Sequence, residues 1–128
     1  MRFMVIIKGN ADSEAGIFPK PEFMEAMGKY NEELQKAGVL VDLAGLAPTS
    51  KGAKIKYWKG QRTVVDGPFA EAKEVIAGYW ILKVNSLAEC IEWVQRIPFE
   101  AGGDDHKTEG EVEIRQFYEM TDVPGAGG

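Results

Sequence analysis

An α+β fold, built as βαββαβ with an extra β-hairpin, is predicted by three observations. Residues 2–8 and 75–84 are apolar on both alternating sets of positions, the pattern of strands covered on both faces. Two segments, 21–37 and one beginning at Ser86, carry apolar residues at helical spacing. The elements run strand, helix, strand, hairpin, strand, helix, strand, which without the hairpin is the ferredoxin-like arrangement. At 128 residues the chain is sized for one domain and can bury a core without disulfides or metals. The domain is placed at residues 1–120, followed by a flexible tail over 121–128.

Each element has its own justification. The first strand alternates Phe3, Val5 and Ile7 with Met4 and Ile6. Gly9 to Gly16 is loop-like, with Asp12 as a loop or capping carboxylate and a candidate ligand contact. Pro19 and Pro21 introduce the first helix, and Glu22 and Glu25 suit the positive end of its dipole. Phe23, Met27, Tyr30, Leu34 and Ala37 form one stripe, and Glu25/Lys29 and Glu32/Lys36 are i,i+4 pairs on the outer side. Gly38 is placed to end the helix in a left-handed cap. The helix methionines read as core filler rather than as a cofactor pocket.

A second strand over 39–46 contains Asp42, read as an edge carboxylate, with a pocket-facing base as the alternative. Residues 53–58 and 62–65 flank Lys59-Gly60-Gln61 as a hairpin. The longest strand, 75–84, follows. Ser86 and Glu89 have capping-box spacing, Leu87, Cys90, Ile91 and Val94 give an apolar helix face, and Pro98 stops it. Residues 99–110 form a polar connection holding His106, the only histidine. A last strand over 111–118 sets Val112, Ile114 and Tyr118 against Glu111, Glu113 and Arg115, the half-polar pattern of an edge.

Composition excludes several function classes. Net charge is −5, with 20 acidic against 15 basic residues, and no Lys/Arg cluster exists, which argues against nucleic acid as a partner. The single cysteine, Cys90, permits no internal disulfide and fits a reducing compartment; on an apolar helix face it reads as a small core residue rather than a nucleophile. The apolar start Met1 to Ile7 is too short for a signal peptide and Lys8 interrupts it. No run reaches the ~20 apolar residues that span a bilayer. A soluble cytoplasmic protein with no membrane partner is expected. His106 lacks a second His or Cys at ligand spacing, so no metal is expected, and no phosphate loop, G-x-S-x-G or CxxC points to a cofactor.

Helices can cover only one face of the predicted sheet, yet its central strands are apolar on both. A second copy of the same sheet would cover the other face through a two-fold contact, giving a homodimer shaped as a dimeric α/β barrel. The candidate site lies at Asp66-Gly67-Pro68-Phe69 and the following Ala70-Glu71-Ala72-Lys73-Glu74. Read structurally, this is a rigid turn that aims the long strand, with Phe69 plugging the core. Read functionally, Asp66, Glu71 and Glu74 are candidate catalytic carboxylates, since a partly desolvated carboxylate can act as a base. Lys73 would orient an anionic group, and Tyr79 and Trp80 would line an apolar pocket with a hydroxyl and an indole N–H.

Residues 1 to about 118 resemble the DGPF-type branch of the YCII-related family, in the dimeric α/β-barrel superfamily. The carrying residues are Phe3-Met4-Val5-Ile6-Ile7, Ala37-Gly38-Val39-Leu40, Gly45-Leu46-Ala47-Pro48, the block Asp66 to Glu74, and Gly78-Tyr79-Trp80-Ile81-Leu82. The resemblance implies a ferredoxin-like subunit and a homodimer. Some relatives look like enzymes with a His–Asp pair on the first helix. Here that helix contains no His and ends Gln35-Lys36-Ala37-Gly38, so the pair does not carry over. Two functions follow as expectations: a module binding a small ligand or a partner, or a cofactor-independent lyase, isomerase or oxygenase acting on a small aromatic or lactone-like compound.

Overall fold

Four antiparallel strands in the order β2-β5-β1-β6 make the main sheet, and a separate ribbon pairs β3 with β4. The structure is a computed structural model that describes residues 1–69, 74–101 and 110–125. Its elements are β1 (Arg2–Lys8), α1 (Ala11–Glu14), α2 (Pro21–Lys36), β2 (Leu40–Gly45), β3 (Ala53–Trp58), β4 (Gln61–Asp66), β5 (Ile76–Lys83), α3 (Leu87–Gln95) and β6 (Val112–Gln116), with 3-10 turns at Thr49–Lys51 and Met120–Asp122. This is the expected ferredoxin-like topology. The two strands apolar on both faces, β1 and β5, are the central pair, and β2 and β6 are the edges.

The segment after β1 differs from the expected loop. Asn10 Oδ1 accepts from the Ser13 N–H at 2.9 Å, and Ser13 Oγ accepts from the Asn10 N–H at 2.9 Å. This reciprocal cap satisfies the free donors of a helix start, so the polar stretch closes into one helical turn, α1. α2 begins with Pro21 in its first turn, where a missing N–H costs nothing. It ends at Gly38, whose φ of +74° supplies the left-handed cap; the Val39 N–H reaches back to the Leu34 carbonyl at 3.2 Å.

The core lies between the two long helices and one sheet face. Phe3, Val5, Leu82 and Val84 from the sheet meet Tyr30 and Leu34 of α2, and Cys90 of α3 with Ile97 beyond it. The Tyr30 hydroxyl donates to the Trp93 carbonyl at 2.6 Å, tying α2 to α3. Three expectations are corrected here. The buried stripe of α3 is Cys90, Trp93, Val94 and then Ile97, whereas Leu87 and Ile91 are exposed, because the i, i+3, i+4, i+7 line through Cys90 faces the sheet. Glu89 accepts from the Asn85 N–H rather than that of Ser86, so the Ser86 cap is one-sided. Phe69 stays outside the core, half-buried, with the Lys54 ammonium 4.3 Å above its ring.

Met4, Ile6, Ala44 and Ile81 alternate onto the opposite sheet face, and the core cluster includes none of them. The β3–β4 ribbon is exposed over nearly its whole length, with Ile55 at 54% and Tyr57 at 68% exposure. Among the described residues no helix is long and apolar enough to cross a membrane.

Candidate functional site

Strand register explains where the molecule leaves room. On the helix-covered face, Leu43, Trp80, Val5 and Ile114 lie in one row across the sheet, all with side chains. The next row is Gly45, Gly78, Ile7 and Val112. Two adjacent glycines there give the sheet a floor without side chains. α2 fills the first row with Tyr30 and Leu34, but over the second it presents Phe23, Met24 and Met27 across a gap. The result is a cleft of about 950 Å³, closed at its rim by the α1 segment and by the stretch from Leu46 to Lys51. The methionines therefore have two roles. Met27 packs against the core, as expected, and both Met24 and Met27 also wall the cleft.

Trp80 is the fixed point of this wall. It is only 3% exposed, its ring meets Tyr30 edge-on at 5.7 Å, and its indole N–H donates to Asn31 Oδ1 at 2.8 Å. Asp12 sits on the rim, exposed, in the first turn of α1. Tyr79 borders the cleft, but its hydroxyl donates to Asp42 Oδ2 at 3.2 Å. That hydrogen bond, and then the Asp42 charge, raise the phenol above its usual range, since both favour the protonated form. Of the ligand contacts expected from sequence, Asp12 and Trp80 thus come together around one cavity, whereas the Tyr79 side chain stands in the row of Ile6 and Ala44 on the opposite sheet face, where its hydroxyl meets Asp42.

Of the carboxylates expected to be catalytic, the two among the described residues, Asp66 and Glu74, do not converge. Asp66 is exposed at the end of β4, paired with Ala53, and borders neither cavity. Glu74 lines a second, smaller cavity of about 410 Å³ with Phe69, Lys54 and Val75. Glu71 and Lys73, like His106, lie outside the described residues.

The turn itself is built around backbone contact. A Cβ on Gly67 would fall 1.6 Å from the Thr49 carbonyl oxygen, so only glycine permits this approach. Thr49 is held in turn by Glu14. Its N–H donates to Glu14 Oε1 at 3.0 Å and its hydroxyl to Glu14 Oε2 at 2.5 Å, while Thr49 Oγ1 accepts from the Phe69 N–H at 3.0 Å. The side-chain and backbone bonds from Thr49 hold the Glu14 carboxyl below the usual glutamate value. Glu14, Thr49 and Asn31 escaped the sequence reading. Asn31 could have been found as the polar residue four places after Met27 on the apolar stripe. Glu14 and Thr49 are 35 positions apart, and no local pattern joins them. Among the described residues no group of His, Cys, Asp and Glu is arranged to hold a metal ion.

Sheet order and cleft together define a ferredoxin-like α+β protein with an apolar pocket between its first long helix and its sheet. Residues 1–120 match the YCII-related domain, and the chain belongs to that family. It is 28% identical over 120 residues to an uncharacterised protein of Rhizobium meliloti (strain 1021), covering 90% of this chain and 93% of the relative. Among solved structures it is similar to the 5-chloro-2-hydroxyhydroquinone dehydrochlorinase of Burkholderia phenoliruptrix AC1100 in complex with 2,5-dihydroxybenzoquinone. That match has 14% identity and a TM-score of 0.47, covering 92% of this chain and 94% of the enzyme.

Proposed function

We propose that this protein is a homodimeric, small-ligand-binding member of the DGPF-type branch, cytoplasmic, with the cleft beside Trp80 as its ligand site. The observation that carries the ligand site is the cleft: about 950 Å³, walled mainly by apolar side chains, at the upper end of the ~300–1,000 Å³ range of small-molecule pockets. Among the described residues Asp66 borders neither the cleft nor the smaller cavity that Glu74 lines, which favours binding over the alternative of an enzyme using Asp66, Glu71 and Glu74. The block from Asp66 to Phe69 then serves as a turn docked on Thr49.

Two features support the homodimer and its barrel of facing sheets. Both long helices pack on one sheet face, leaving the half-buried Met4 and Ile81 of the other face for a second copy. The β3–β4 ribbon is too small to be stable alone. It exposes Ile55, Tyr57 and Val64 beside Lys54, Lys56, Lys59 and Arg62, on a chain of net charge −5. Strand pairing thus gathers the Lys/Arg cluster that was not expected from the sequence, and a basic apolar arm of this kind suits an acidic second copy.

The ligand site is tested with N-phenyl-1-naphthylamine, an apolar dye that brightens when desolvated. It should bind the wild-type protein, and Met27→Trp, which fills the cleft, should abolish the signal. A signal that persists in Met27→Trp would place the dye elsewhere and overturn the site. Sedimentation at micromolar concentration should give the mass of two chains; the mass of one chain would overturn the homodimer.

A further inference from the structure

The cleft is not featureless: one polar side chain stands on its α2 wall, and its orientation is fixed. An indole N–H is a donor with no acceptor capacity. The 2.8 Å bond from Trp80 Nε1 therefore requires the oxygen of Asn31, not its nitrogen, on the Trp80 side. The Asn31 NH₂ group is consequently turned away from Trp80. It has no protein partner among the described residues, and Asn31 is half-buried and lines the cleft. Trp80 cannot swing to release it, because Tyr30 packs edge-on against the ring and is itself tethered to the Trp93 carbonyl at 2.6 Å.

The nearby polar groups differ in kind. The Glu14 carboxylate is occupied by Thr49, and Lys8 pairs with Glu113 at 3.5 Å. Asp12 and Lys51 are exposed at the rim. The wall beside Trp80 therefore offers a neutral donor held in one direction, next to apolar Met27 on the preceding turn of α2. A donor fixed before binding loses little entropy when a ligand arrives. If it is covered by a ligand lacking an acceptor, its desolvation goes uncompensated.

Resting on the cleft being the ligand site, we propose that Asn31 is its ligand-orienting donor. The ligand class is then a neutral, apolar, ring-sized molecule carrying a hydrogen-bond-accepting oxygen, such as a carbonyl, aimed at Asn31 Nδ2. Purely hydrocarbon or donor-only molecules of the same size bind more weakly.

Two neutral naphthalene dyes test this. Prodan carries a ketone oxygen; N-phenyl-1-naphthylamine carries no oxygen acceptor. Asn31→Asp keeps an oxygen for the Trp80 N–H and removes the donor, and Asn31→Ala removes the donor without adding charge. Near-ultraviolet circular dichroism checks that each variant is folded. In both variants the affinity for prodan relative to N-phenyl-1-naphthylamine should fall by about tenfold, the worth of one hydrogen bond to a neutral acceptor. An unchanged ratio in both variants overturns the role of Asn31 while leaving the cleft as a binding site. Failure of both dyes to bind the wild-type protein, or binding that survives Met27→Trp, overturns the cleft as the ligand site and the role of Asn31 with it.

Discussion

The two ends of the helix-covered sheet face are built from the same strands and the same helix, yet one is filled and the other hollow. At the filled end Phe3, Leu34, Leu82 and Cys90 are essentially inaccessible to solvent. At the other end, two residues further along each strand, the row across the sheet reads Gly45, Gly78, Ile7, and the helix above it walls a cleft. Interiors pack to near-crystalline density, so a cavity of about 950 Å³ needs structure that keeps it open. That structure is the buried Trp80 on one side and the Glu14–Thr49 clamp at the rim. Stability is thus concentrated in one half of the layer and binding capacity in the other.

The largest expected effect breaks the filled end. Leu34 is 0% exposed in the centre of the core. Leu34→Ala should cost about 2–5 kcal/mol, the lost transfer energy plus the cavity left behind. Urea unfolding should show this as a lower midpoint with an unchanged slope. A cost below about 1 kcal/mol would mean that the core is not the rigid half.

The glycine row separates the two properties. A Cβ on Gly78 would lie 2.8 Å from the Ala44 carbonyl oxygen, whereas one on Gly45 meets nothing within 4 Å. Gly78→Ala must push the edge strand β2 away and should cost about 1–3 kcal/mol. Gly45→Val places a strand-favouring side chain in open space, so stability should move by only about 0.5 kcal/mol. It should nonetheless weaken N-phenyl-1-naphthylamine binding, because the added side chain fills the cleft floor. Equal stability losses in both variants would refute the register argument.

This division was only partly legible in the sequence. Strand patterning placed β1 and β5 at the centre, and the helical spacing of Phe23 to Leu34 placed α2, because burial on one or two faces leaves a local periodic trace. The cleft left none. It follows from Gly45 and Gly78 lying side by side, 33 positions apart in the chain, which becomes visible only once β2 and β5 are in register. The block from Asp66 to Phe69 drew attention because its residue types are distinctive. Its main contact is the Gly67 backbone against Thr49, which no side-chain pattern encodes. Asp12 and Trp80, singled out by residue type as candidate ligand contacts, line the cleft, whereas Asn31, fixed by Trp80 from a distant strand, was not singled out.

The smallest expected effect concerns the rim and is read as a pH dependence. Glu14 accepts two hydrogen bonds from Thr49, which lower its carboxyl below the ordinary glutamate value of 4.5. The ionised form is therefore favoured by folding. Its contribution is present in full above that ordinary value and is lost as pH falls through the lowered one. Glu14→Gln should reduce the melting temperature by a few degrees at neutral pH, and the gap to wild type should close on acidification below pH 4.5. Glu113, lowered by Arg115 and Lys8, and Glu119, lowered by Arg2, steepen the acid dependence of both proteins alike and cancel in the difference. A gap that stays constant with pH would show that the Thr49 bonds, and not the carboxylate charge, hold the rim. Because the clamp borders the cleft and not the core, Glu14→Gln should also loosen dye binding more than it lowers resistance to urea.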